Sequence, residues 1–248
     1  MTDELGKRMK AQYEDRTRYF LPRRTYTIIR LDGKAFHTFT RSMKKPYDES
    51  LMEVMDETAK FLCENIQGCQ MAYIQSDVIS LLLTDFEKIT TDAWFDGNIQ
   101  KITSVSASIA TAKFNNLFLN KRMNVVNDEG LKRLCIEAPL AFFDARVFTI
   151  PDPIEVENYF VWRQKDAVRN SIAMTAQSLY SHKELNKKSQ ADLQEMIFQR
   201  GQNWNDMPEG FKRGRIVLYK EAEWKIIPAI DILKEREAFR ALIPKIII

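Results

Sequence analysis

The sequence predicts an α+β fold: a ferredoxin-like sheet of the split β-α-β type, with helices packed on it and a mainly helical C-terminal part. Three observations carry the prediction. A β-branched run stands at 25–31, two helical periodicities each lie between strand-like runs, and the apolar stretch 69–85 is split by the polar Gln75-Ser76-Asp77. Read in order, "TYTIIRL" is a buried strand. In "KKPYDESLMEVMDETAKFLCENI", Pro46 breaks the chain, Ser50 and Glu53 offer a capping box, and Leu51, Met55, Leu62 and Ile66 recur near helical spacing, giving a helix over 49–66. "CQMAYIQSDVISLLLTD" reads as a hairpin. A second helix follows over 96–116, with Ile99, Ile102, Val105, Ile109 and Ala112 on one face. "AFFDARVFTIP" (141–151) is a further strand ended by proline. Beyond it lie helical patterns at 155–182 and 189–200 and a short strand at 214–220. The expected organisation is therefore residues 1–150 as one unit and 151–248 as a second packed tightly on it, since no Gly/Ser-rich linker separates them. The closing "ALIPKIII" is too apolar to dangle and is expected in a groove or a subunit contact.

Composition narrows the class. Hydrophobic residues are 45% and charged ones 29%, as in ordinary soluble globular domains, and the net charge is only +3. Basic residues cluster at "RTRYFLPRR" (16–24), "KK" (187–188) and "FKRGR" (211–215), runs that are commonly solvated faces but also suit a polyphosphate or RNA backbone. Cys63, Cys69 and Cys135 have no metal spacing and read as buried thiols; with two histidines a structural zinc site is not expected. A charged N-terminus and the lack of a long apolar run point to a cytoplasmic protein with no membrane partner.

The chemistry concentrates at two aspartates. Asp32-Gly33 ends the first strand, and Asp77 sits in the turn between the second and third. Each alone is ordinary turn chemistry. In the split β-α-β topology, however, the third strand lies antiparallel beside the first, so both positions share one sheet edge about 4.8 Å apart. Two such carboxylates repel unless a cation intervenes, and an all-oxygen donor set favours Mg²⁺. Gly33 lacks a side chain, so its carbonyl and the loop amides can approach metal and phosphate closely.

The blocks "RLDGKAFHTF", "KKPYD", "YIQSDVISLLL", "FFDARVFTIP", "YFVWRQKDAVRNS" and "NWNDMPEGFKRGRIVL" resemble, in order and over nearly the whole chain, those of the tRNA-His guanylyltransferase superfamily. The resemblance implies a polymerase-palm catalytic part in 1–150 and addition of nucleotides in the 3′-to-5′ direction. It implies that Asp32, the Gly33 carbonyl and Asp77 hold two Mg²⁺ ions. The loop Asp32-Gly33-Lys34-Ala35-Phe36-His37, together with Ser76 and Asp77, would bind the nucleoside triphosphate. It also puts Lys45, Asp48, Lys101 and Asn205 near nucleotide, although Lys45 and Lys101 read equally as surface lysines. "WRQKD" (162–166) is expected to order helix packing, with Arg163 as its functional member. ATP or GTP for 5′ activation, tRNA as substrate and a homotetramer are further implications.

Two departures qualify the resemblance. The eukaryotic enzymes' His-Ile-Asn-Asn is here Val168-Arg169-Asn170-Ser171, which points to the guanylyltransferase-like branch that repairs 5′-truncated tRNA against a template. The usual Ser-Asp-Glu is Ser76-Asp77-Val78; the neighbour of a strand residue points to the opposite face, so the valine is expected to face away from the site. The reading is a template-dependent 3′-to-5′ RNA nucleotidyltransferase. Its alternatives are a tRNA-His guanylyltransferase, a palm-fold nucleotide cyclase and an inactive RNA-binding homologue.

Overall fold

The computed structural model describes residues 3–123 and 139–246. Six strands form one antiparallel sheet: β1 (Tyr26–Gly33), β2 (Cys69–Gln75), β3 (Val78–Leu83), β4 (Phe143–Ile150), β5 (Arg215–Lys220) and β6 (Glu223–Pro228). Their order is β4-β1-β3-β2-β5-β6. The central β4-β1-β3-β2 arrangement is the split β-α-β pattern read from the sequence. Strand β6 was not anticipated. Its "EWKIIP" pairs residue for residue with β5 across a turn whose Glu221 and Ala222 both have positive φ. Neither is glycine, so the turn gives no signal in composition. Through β5 and β6 the sheet continues into the chain beyond residue 150.

Alternation along each strand divides the side chains between two cores. Ile29, Leu31, Ile74, Ile79 and Leu81 face α1 (Glu49–Asn65) and α2 (Ile99–Met123). Tyr26, Ile28, Tyr73, Leu82 and Ile216 face α3 (Pro153–Leu179) and the C-terminal segment. A smaller cluster joins α3 to α4 (Gln190–Gln199) through Ile172, Ala176, Leu193, Ile197 and Trp204. Asp152 caps α3 by accepting from the Ile154 amide, and Pro153 follows at its first turn, where its missing N–H costs nothing. For α1 the cap is Asp48, whose carboxylate accepts from the Leu51 amide, rather than the expected Ser50–Glu53 box. Only the start of the apolar tail is covered: Ile243 is buried in the α3-side core and the Tyr26 hydroxyl donates to the Pro244 carbonyl at 2.6 Å, whereas Ile246 is exposed. Residues 247–248 and Cys135 lie outside the described residues, whereas Cys63 is buried and Cys69 half-buried, both as free thiols. Among the described residues no helix is long and apolar enough to cross a membrane.

The entry into β5 turns on Gly214, which follows the short helix Glu209–Arg213, packs against β2 and adopts φ +87°. A Cβ there would stand 2.6 Å from both the Ile74 carbonyl and the Tyr73 hydroxyl, and that hydroxyl already donates to the Arg213 carbonyl. Gly214→Ala is therefore expected to cost about 2 kcal/mol or more. Thermal unfolding should register a Tm lower by roughly 4–8 °C; an unchanged Tm would refute the steric argument.

Candidate active site

The site is built where β1 and β3 end. Their register pairs Asp32 with Val78, and the Gly33 amide donates to the Asp77 carbonyl at 3.2 Å, closing the strand end onto the β2–β3 turn. Two non-glycine residues in left-handed backbone conformation, Ala35 (φ 53°) and Ser76 (φ 51°), shape the two loops that meet here. Such conformations cost of order 1 kcal/mol or more each and concentrate at functional sites. Gly33 is required for close approach of another kind than expected: a Cβ would lie 2.3 Å from the Phe36 ring, which is buried against Phe39, Phe114 and Phe143. Its lack of a side chain lets the 33–36 loop fold back over the core.

A pocket of about 460 Å³ opens at this end of the sheet. It is lined by Gly33, Ala35, Phe36, His37, Lys45, Asp48, Ser76 and Asp77, so most residues singled out in the sequence do converge. The Lys45 ammonium donates to the Thr40 carbonyl, and Asp48 divides its oxygens between the α1 cap and the Lys44 amide. Lys34 is exposed behind the loop, its amide bonded to the Phe142 carbonyl. Asn205 is exposed and does not line the pocket; its carbonyl accepts from the Lys212 ammonium at 2.6 Å.

Lys101 is not part of this site within one chain. It stands in the first turn of α2, and the adjacent Ile102 lines a small cavity with Thr27, Leu83 and Asp85. Those residues mark the opposite end of the sheet, five register positions and so about 16 Å from Asp32. Its ammonium lies over the Phe95 ring instead. Part of the basic runs departs from the sequence reading. Arg23 is paired with Asp85, Asp92 and Asp96, Arg18 with Glu14 and Asp15, and the buried Arg215 with Asp56. Arg23 and the 211–215 run brace the fold, whereas Lys187 and Lys188 are exposed.

Several pocket residues went unread in the sequence. Ala167, Asn170, Ser171, Met174 and Gln177 present one stripe of α3, and the Tyr47 and Phe211 rings pack 4.7 Å apart over the same space. The stripe was legible in principle, as polar residues at helical spacing beside an apolar face. "WRQKD" orders packing as expected. Gln164 bonds the Ile230 carbonyl and the Ile232 amide, while the buried Arg163 bonds Gln75 beside the Asp77 turn at 2.9 Å.

The two carboxylates have different surroundings. Asp32 receives Arg30 at 2.7 Å and Arg146 at 3.5 Å. Among the described residues Asp77 makes no ion pair. Burial, and after it the Asp32 charge, push its carboxyl up from the usual range, against bonds from its own amide and Ser76 and the field of Arg30. A half-buried carboxylate held in this way is suited to a divalent cation, and its oxygen surroundings fit Mg²⁺. Among the described residues no group of three or more His, Cys, Asp or Glu could hold a metal, so any ion would rest on this pair, backbone carbonyls and substrate oxygens. Val78 does not line the pocket that Asp77 lines, but it bears on the site from across the ladder: residues directly opposed in an antiparallel pair share a face, and Val78 opposes Asp32.

Because the folded pKa of Asp77 is raised, its ionisation costs stability. The cost is absent below the unfolded pKa and grows as pH rises through the folded one. Asp77→Asn is accordingly expected to raise the metal-free Tm at pH 7 and to raise it less at pH 4. Calorimetry in chelator at both pH values checks this; a variant less stable than wild type at pH 7 would contradict it.

Comparison with known proteins agrees with this fold. The family model described as Thg1, tRNAHis guanylyltransferase, matches residues 6–151. The tRNA(His) guanylyltransferase of Debaryomyces hansenii is 31% identical over 217 residues, 82% of this chain and 77% of that one. A bacterial tRNA(His) guanylyltransferase (Thg1)-like protein solved in complex with ATP superposes with a TM-score of 0.86 at 42% identity, covering 96% of this chain and 99% of the other. A similar protein in complex with GTP gives 0.78 at 40% identity, with the same coverage. With the carboxylate-bearing sheet end and these matches together, the chain belongs to the tRNA(His) guanylyltransferase family of nucleotidyltransferases.

Proposed function

We propose that the chain is a template-dependent 3′-to-5′ RNA nucleotidyltransferase that adds nucleotides to the 5′ end of truncated tRNA after ATP or GTP has activated that end. The observation that carries this reading is Asp77 at the wall of a pocket of about 460 Å³, a volume suited to one small ligand, with Asp32 beside it. Residues 1–150 form the catalytic part, and 151–248 supply the α3 wall of the pocket.

In this reading the Asp32 and Asp77 carboxylates and the Gly33 carbonyl would hold two Mg²⁺ ions. Held there, the ions would supply Lewis acidity that lowers the pKa of an attacking hydroxyl and neutralises phosphate charge. The protein's own part is alignment. Tyr47 and Phe211 offer aromatic faces to a base, His37 and Lys45 stand in the wall where phosphates would lie, and the loop at 33–36 fixes the floor. The 3′-hydroxyl of the incoming nucleotide attacks the activated 5′ phosphorus. The new P–O bond forms as the bond to pyrophosphate or AMP breaks, which requires both oxygens in line.

Val168 favours the repair branch. It packs against the cluster of Ile172, Leu193 and Trp204, contributing an apolar contact where the eukaryotic sequences have a histidine. Nucleotide choice would then come from pairing with the base across the acceptor stem. The second reading, guanosine addition restricted to tRNA-His, is favoured by the names of the curated relatives. The reading includes a cytoplasmic homotetramer. The helical segment from Glu4 to Thr17 buries no residue and exposes Leu5, Met9 and Tyr13 along one side, as a subunit contact would require. Light scattering tests the subunit number.

Labelled nucleotide incorporation decides among these readings. Several tRNAs lacking their first nucleotide should each receive the Watson–Crick complement of the template base, in Mg²⁺ and not in chelator, and exchanging that base should switch the nucleotide added. Guanosine added to tRNA-His alone, whatever lies opposite, would select the second reading. Asp32→Ala and Asp77→Ala should each abolish addition in folded protein, the double variant being little worse than either.

A further inference from the structure

Asp77 lines the pocket, but Asp32 does not. Asp32 shares its strand face with Arg30, which holds it at 2.7 Å, and Arg146 of β4 approaches the same carboxylate at 3.5 Å. Above this face stands Trp162 of α3, 51% exposed. Its indole is braced: the Arg163 guanidinium lies 4.8 Å from the ring centroid, Arg30 at 6.0 Å, and Tyr159 meets it edge-on at 5.7 Å. Arg30 therefore reaches both the exposed indole and the Asp32 carboxylate. Arg146, itself 56% exposed, borders the same side.

We infer that Trp162 is the platform on which the 5′-terminal base of the RNA stacks when that end is presented to Asp32 and Asp77. The inference rests on the RNA 5′-end reading proposed above and identifies the second half of that site. The pocket on the Asp77 side is suited to one small ligand, so the other reactant needs a surface on the Asp32 side of the pair. A braced, half-exposed indole is suited to any base, because every base has a π-face and stacking is sequence-tolerant. Arginines flank it where a backbone phosphate would follow the stacked base. One exposed aromatic ring bordered by charged side chains is also unlike the apolar centre of a subunit interface, which is depleted of charge. Trp162 binds in this scheme and touches no reacting atom.

The test uses the full chain with a 3′-labelled tRNA lacking its first nucleotide. RNA affinity is measured by anisotropy in chelator, ATP affinity by calorimetry with Mg²⁺, and particle mass by light scattering. Trp162→Ala should weaken RNA binding about tenfold, or ~1.4 kcal/mol, with ATP affinity and mass unchanged. Trp162→Phe, which keeps an aromatic face, should bind RNA within about threefold of wild type yet lose the part of the tryptophan emission that RNA quenches in the wild type. That second variant decides the matter if Trp162→Ala does not fold. Wild-type RNA affinity in Trp162→Ala overturns the inference while tRNA extension by the wild type leaves the functional reading intact. So does a fall in particle mass, which would make Trp162 a subunit contact, a parallel loss of ATP binding, which would make it structural, or identical quenching in wild type and Trp162→Phe. A wild-type protein that binds ATP but no RNA overturns both.

Discussion

The antiparallel pairing of β1 with β3 is the constraint on which the site depends. It places Asp32 opposite Val78 and ties the Gly33 amide to the Asp77 carbonyl, so two acidic residues far apart in sequence meet at one sheet end. The register is fixed by burial on both faces. Ile29 and Leu31 must enter one core while Ile28 enters the other, and a slip by one residue would exchange them. The hydrophobic pattern that stabilises the sheet thus also sets the carboxylate positions. Like charges brought together in this way oppose folding, and the structure compensates them unequally. Asp32 has two arginine partners; Asp77 has its own amide, Ser76 and the more distant field of Arg30.

That inequality gives the two carboxylates different relations to a cation. A metal approaching Asp77 relieves an existing electrostatic cost, whereas one approaching Asp32 competes with guanidinium groups already in place. The helix α3 connects the two sides. Its Ala167, Asn170 and Met174 wall the pocket, its Arg163 fastens Gln75 beside the Asp77 turn, and its Trp162 overlooks Asp32. One long helix, held by the Gln164 bonds to the C-terminal segment, therefore positions both flanks of the site. Residues after 150 matter to the chemistry for that mechanical reason.

The parts legible in the sequence were those fixed by local pattern. The β1, α1 and β2–β3 stretches carry strong periodicity, and their assembly follows from the topology rule, so the meeting of Asp32 and Asp77 could be read without coordinates. The less legible parts depend on long-range partners. Lys101 stands in a helix that does lie near β1, but the sequence does not say which end of that helix meets the carboxylate-bearing end of the sheet. Arginine runs are visible as charge, while the acids that neutralise Arg23 and Arg215 come from distant segments. Strand β6 has no glycine turn to announce it, and the Asp48 cap competes with an equally plausible Ser50 motif nearby.

Val78 shows how a correct rule can be applied to the wrong pair of residues. Alternation along one strand says that Val78 and Asp77 diverge, but the relevant neighbour is across the ladder, and there Val78 opposes Asp32 on one side and Gln75 on the other. Asp144 continues the same row on β4. The valine thus separates the Asp32 carboxylate from the Gln75 amide on a face where Arg30 and Arg163 each keep a buried, unpartnered Nε. A carboxylate in its place would stand among those guanidinium groups and draw Arg30 between two anions. With valine there, Arg30 has Asp32 as its carboxylate partner on this row, and Arg163 turns to Gln75 and Asp166. The residue that departs from the family pattern therefore bears on the site through the arginines around Asp32, and so on how firmly Asp32 is held before a cation arrives.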